Sequence, residues 1–190
     1  MSSTRLLILG VVRIFQPVHG YFVRRELLSW RADQWANINP GSIYNALRSL
    51  TKDGFLEEVP DAGEAGSRAR TSYRLTADGD LEFTSMLHDA MWSLNEYSPD
   101  LMYAAVGFIN FLPREEAAAA LEHRIAQITA MKVGLEFKEQ SLIGHPTVPD
   151  HTPEIVRLAM ARLDGELAWA RVLLDKIKRG AYVFAGEAEE

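Results

Sequence analysis

Residues 37–59 read NINPGSIYNALRSLTKDGFLEEV, and this stretch decides the fold. Asn39 can cap a helix start with its side-chain oxygen, and Pro40 suits the first helical position because no amide is lost there. Gly54, after Asp53, supplies the usual stop. A helix from Asn39 to Asp53 is therefore expected, followed by a short strand, FLEEV. At about 100° per residue, Ile43, Leu47 and Leu50 share one side, and Gly41, Ser42, Asn45, Arg48, Ser49 and Lys52 the other. The polar side holds no acid, since Asp53 falls at its edge, at the helix end. Solvated faces normally mix Glu with Lys and Arg, so the composition points to something other than water.

The flanking segments give this helix a context. Residues 4–15 form a dense apolar pattern with Leu6, Leu7, Leu9 and Ile14, closed by Pro17. A second helix is expected over about 18–30, with Val23, Leu27, Leu28 and Trp30 inward and Arg24, Arg25 and Glu26 largely outward. After the third helix, FLEEV and TSYRLT (residues 71–76) read as two strands joined by PDAGEAGSRAR, whose tip carries Arg68 and Arg70. Three helices and a two-stranded hairpin, in that order, make a winged helix-turn-helix. The fold class expected is mainly α: this domain over residues 1–80, an all-α dimerisation domain over 81–180, and a flexible tail over 181–190.

Downstream, Thr76 caps a fourth helix expected to reach about Asn95. LMYAAVGFINFL (101–112) is apolar nearly all round and reads as a buried helix. A longer helix begins at Pro113, with Glu115 and Glu116 favourably placed in its first turn. Its apolar line is Leu121, Ile125, Ile128, Leu135 and Leu142, interrupted by Lys132 and Glu139. GHPTVPDHTP (144–153) is a loop. In the last helix Val156, Met160, Leu163, Leu167, Ala170, Leu174 and Ile177 follow the alternating four and three spacing of a coiled-coil seam. Its partner is the 113–142 helix of the same chain, the same helix of a second chain, or both.

Charge is divided unevenly. Of 20 Lys+Arg and 26 Asp+Glu, residues 1–76 hold 10 and 7, leaving 10 and 19 for the remainder. A net acidic chain thus has a mildly basic N-terminal part, suited to an anionic partner. Such an acid-free face suits a major groove: Arg pairs with guanine, Asn with adenine, and Ser, Tyr and Lys hold phosphates. Wing arginines beside glycines suit the minor groove or flanking phosphates.

Three blocks in order, PVHGYFVRREL (17–27), INPGSIYNALRSLTKDGFLEE (38–58) and YRLTADG (73–79), resemble the PadR-type transcriptional regulators. LPREEAAAALEHRI (112–125) is similar to the helical dimerisation domain of the longer members. The resemblance implies a homodimeric winged-helix protein that represses a promoter and is released by a small molecule or signal. It implies backbone contacts from Ser42 and Tyr44, base-edge contacts from Asn45 and Arg48, and phosphate or minor-groove contacts from the wing residues Arg68 and Arg70, with Tyr21 and Lys52 as further DNA-binding candidates. Double-stranded DNA with a pseudo-palindromic operator is the partner expected. Phe22 departs from the pattern, which places an acid after His19-Gly20-Tyr21. The rival function is a winged-helix module that binds protein instead of DNA.

Other chemistry finds little support. With no Cys, disulfides, thiolate catalysis and Cys-bearing metal sites are excluded. His19, His88, His123, His145 and His151 lack the i, i+4 spacing with Glu of a helical zinc site. Ser67 lacks the strand–turn–helix setting of a nucleophile elbow. No catalytic residue, metal or cofactor is expected. Trp92 and Met91 could line a site for a flat effector, although core or interface packing is the favoured reading, since no acid or base is placed to orient a ligand. No signal peptide or membrane span is expected, because Arg13 interrupts the apolar start and no long uncharged run follows. A cytoplasmic location is the expectation.

Overall fold

Leu6, Leu7, Ile8, Leu9, Val11 and Val12 are each at most 1% exposed, so helix α1 (Ser3–Phe15) is buried on nearly every side. It is the spine of the first of two units in the computed structural model, which describes residues 2–36, 38–60, 71–94 and 99–187. Backbone contacts group residues 1–91 and 95–111 as one unit and residues 92–94 and 112–190 as the other. Gly10 is where α1 admits a neighbour: a Cβ there would lie 2.2 Å from the Phe108 ring. That ring stacks edge-on against Phe83 and Trp30.

A two-residue strand, β1 (Val18–His19), precedes α2 (Gly20–Ser29), so the expected helix starts two residues late. Two residues are too few to show strand alternation in a sequence. A single turn of helix, α3 (Ala32–Trp35), leads to α4 (Pro40–Lys52). The Asn39 carboxamide accepts from the Ser42 amide at 2.9 Å, as the cap requires. Ile43, Leu47 and Leu50 are fully buried, each contributing about 1.5–3 kcal/mol by leaving water.

The wing is three-stranded, in the order β1–β3–β2, all antiparallel. Strands β2 (Leu56–Pro60) and β3 (Thr71–Leu75) pair Leu56 with Leu75 and Pro60 with Thr71. Val18 and His19 add the third edge opposite Tyr73 and Ser72. The tip, residues 61–70 with Arg68 and Arg70, lies outside the described residues.

Helix α5 (Ala77–Trp92) is locked to the end of α4. The Thr76 hydroxyl donates to Gly54 O at 2.7 Å and accepts from the Gly79 amide at 3.0 Å. Gly79 passes so close to the Phe55 carbonyl that a Cβ would meet it at 1.9 Å. The helix stops at Trp92, short of Asn95, the end expected from the sequence. The apolar run after it is α6 (Pro99–Gly107) plus a 3-10 turn at 109–111. It is not buried throughout: Tyr103 is 60% exposed and packs edge-on against Trp35. These elements carry the first unit beyond residue 80.

In the second unit α7 (Arg114–Leu142) and α8 (Pro153–Lys178) form a hairpin. The α8 seam is satisfied within the chain. Leu163 and Leu167 close on Ile128, with Ile125, Met131 and Leu135 around them; Val156 and Ile177 are likewise buried, while Met160 and Leu174 are half-buried. The charges that interrupted the α7 line find α8 partners, Lys132 with Asp164 and Glu139 with Arg157.

The described part of the segment expected to be a flexible tail is instead tied down. Phe184 is 3% exposed and lies beneath the Arg114 guanidinium. Arg114 donates to Glu187 with two nitrogens and to the carbonyls of Ile177 and Tyr182. The six small or acidic residues after Phe184 hid an aromatic anchor and its counter-charge.

Candidate nucleic-acid interface

Packing of α4 on one side leaves the other free. Asn45, Arg48, Ser49 and Lys52 are exposed, Tyr44 is 40% exposed and Ser42 is half-buried. The side chains are ordered among themselves. Arg48 donates from Nη2 to Asn45 Oδ1 at 2.5 Å, and the Ser42 hydroxyl donates to Asn39 O at 2.7 Å. An Asn–Arg pair one turn apart presents donors and acceptors in a fixed fork, the chemistry that base edges match.

The acid nearest this face is neutralised from elsewhere. Asp53 accepts from Arg5 at 3.1 Å, across 48 residues of sequence, and from the Ser49 hydroxyl at 3.3 Å. The carboxylate at the helix end is therefore compensated by a cation on α1. No pattern within residues 37–59 could reveal that pair.

Gly20 sets how close α2 comes to this helix. A Cβ there would stand 3.2 Å from Leu47, 3.3 Å from the Tyr44 ring and 3.5 Å from the Tyr73 ring. Two tyrosines thus close over a position with no side chain, and Tyr21, 62% exposed, follows directly. Burial, followed by the nearby Glu58 carboxylate, raises the Tyr73 hydroxyl above its ordinary value, with Arg48 opposing and Tyr44 adding to the rise. The Tyr73 ring thus lies behind the polar face, next to Tyr44. Sequence reasoning assigned it no role, because its place depends on the pairing of β1 with β3. His19 anchors that pairing, its Nδ1 lying 3.0 Å from the Ser72 hydroxyl.

Trp92 is half-buried beside His123, ring centroids 5.4 Å apart, whereas Met91 is 1% exposed. Among the described residues no group of three or more His, Asp or Glu side chains has metal-binding geometry. Among the same residues no helix is long and apolar enough to cross a membrane.

Residues 8–85 match the model of the transcriptional regulator PadR-like family. No curated protein matches the chain. Bacillus subtilis PadR in complex with operator DNA is similar at 22% identity, covering 91% of this chain and 98% of that one, with a TM-score of 0.42. The same Bacillus subtilis protein in complex with p-coumaric acid is similar at 22% identity, covering 93% and 99%, with a TM-score of 0.38. A PadR-like transcriptional regulator from Bacillus cereus is similar at 18% identity, covering 91% and 94%, with a TM-score of 0.39. The sequence match runs from within α1 into α5 and includes the capped helix and its wing: over residues 8–85 the chain is similar to the PadR-like family of transcriptional regulators.

Proposed function

We propose that this chain is a homodimeric repressor that reads a pseudo-palindromic operator through α4 and is released by a small molecule or signal. The observation that carries the reading is the α4 surface: Tyr44, Asn45, Arg48 and Lys52 stand outward with no acid among them, and the carboxylate beside them is held by Arg5. Ser42, Tyr44 and Tyr21 hold the DNA backbone, while Asn45 and Arg48 face base edges. Lys52 and the wing arginines, Arg68 and Arg70, contribute phosphate contacts.

The dimer surface is a second stripe on α8. With Leu163 and Leu167 packed on α7, residues 155, 158, 162, 165, 169 and 172 repeat the same spacing one step round the helix. Ile155 is 70% exposed, Leu158 64%, Val172 56% and Trp169 36%. Exposed apolar residues at that spacing fit a second copy of the helix. Two-fold pairing would set two α4 helices about one DNA turn apart, and release would follow from a change in their spacing. Trp92 is the aromatic candidate for an effector contact.

Binding of the wild-type chain and of Arg48→Ala to the DNA upstream of its own gene tests this reading. The substitution should cost about 1–3 kcal/mol and relax preference at one base position. Unchanged affinity and unchanged preference would remove α4 from the interface.

A further inference from the structure

The outward side of α2 carries charge that the fold does not consume. Gly20, Val23 and Leu27 are buried, whereas Tyr21, Arg25 and Ser29 form an exposed line. That line starts beside Tyr44, because Gly20 abuts Tyr44 and Leu47. The Arg25 guanidinium lies over the Phe22 ring at 4.7 Å, and Phe22 packs on Phe15 at 4.9 Å. Stacking uses the flat face of a guanidinium and leaves its in-plane N–H donors free for an anion. Among the described residues no carboxylate pairs with Arg25 or with its neighbour Arg24, whose Nε is shielded from solvent and has no acceptor. The sole acid of α2, Glu26, accepts instead from the Trp30 indole at 3.1 Å.

We infer that Arg25, held over the Phe22 ring, and Arg24 form a second phosphate-binding shelf, gripping the DNA backbone beside the groove that α4 enters. The inference rests on the DNA-binding reading above and extends it to a helix that reading leaves with one contact, Tyr21. The first helix of a helix-turn-helix crosses the backbone, so charge there meets phosphate and not base edges. An acid at position 22 would lie one turn from Arg25, pair with it and repel the phosphate. Phenylalanine does the reverse: it removes the competitor and orients the cation. Guanidinium edges suit phosphate through paired hydrogen bonds.

The test uses the full chain with two duplexes, its own upstream DNA and a random sequence of equal length, across a range of salt. Arg25→Ala should weaken binding to both by the same factor, about eightfold at ~0.1 M salt, with log affinity against log salt shallower by about 0.9. Arg24→Ala should act in the same sense. Phe22→Glu should lose at least as much as Arg25→Ala, and Arg25→Lys, which keeps the charge, should restore the slope. Circular dichroism and melting temperature check that each variant is folded. If Arg25→Ala and Phe22→Glu match wild type in affinity and slope while Arg48→Ala still loses operator binding, the shelf is overturned and the α4 reading stands. A wild-type chain that binds neither duplex overturns both.

Discussion

Asn39 shows what a single residue contributes to this surface. Its carboxamide holds the Ser42 amide and its carbonyl holds the Ser42 hydroxyl, so the first turn of α4 is fixed before any DNA arrives. Asn39→Ala should lower the unfolding free energy by about 1 kcal/mol in a urea titration. The cap was legible because it needs only residues three apart. Arg5 was not: its ion pair with Asp53 joins α1 to the end of α4 and depends on tertiary packing. The same is true of Arg124, which is 4% exposed and donates to Glu166 and to the Ser93 carbonyl. Glu166→Ala leaves that guanidinium buried with one partner removed and should cost about 2 kcal/mol by the same titration, since Glu166 is itself partly solvated.

Among the elements, close backbone approaches decide the geometry. Gly79 lets α5 touch the Phe55 carbonyl, which fixes the helix that leaves the winged domain against the end of α4. Gly79→Ala forces that contact apart and should destabilise the chain by about 1–3 kcal/mol or more, read from thermal or urea unfolding. The starts of α4, α5, α7 and α8 and the two long strands were legible from caps, turn residues and periodicity. Strand β1 was not, because its pairing depends on Gln16 and His19 reaching β3, where Gln16 Oε1 accepts the Leu75 amide at 2.8 Å. The α8 repeat was legible as a seam but not its partner: periodicity specifies a complementary surface without saying which chain supplies it. Packing against α7 answers for Leu163 and Leu167. It leaves the offset stripe of Ile155, Leu158, Trp169 and Val172, and Leu158→Glu should shift the protein toward monomer in sedimentation.

For the whole molecule, charge placement governs behaviour with pH and salt. Hydrogen bonding from Arg114, then from the Phe184 amide, holds the Glu187 carboxyl below its ordinary value. A depressed folded-state value contributes stability above the unfolded carboxylate value, about 4.3, and loses it as pH falls through the lowered one. Glu187→Gln should therefore be less stable than wild type in urea at neutral pH, and the difference should vanish in acid. An acidic chain with a basic winged half should also bind DNA in a strongly salt-dependent way. The most direct measurement titrates the protein against its own upstream DNA and against random DNA at two salt concentrations. The account predicts that both affinities fall steeply with salt and that the upstream DNA is preferred by about a thousandfold or more. Equal affinity for the two, or binding indifferent to salt, would contradict it.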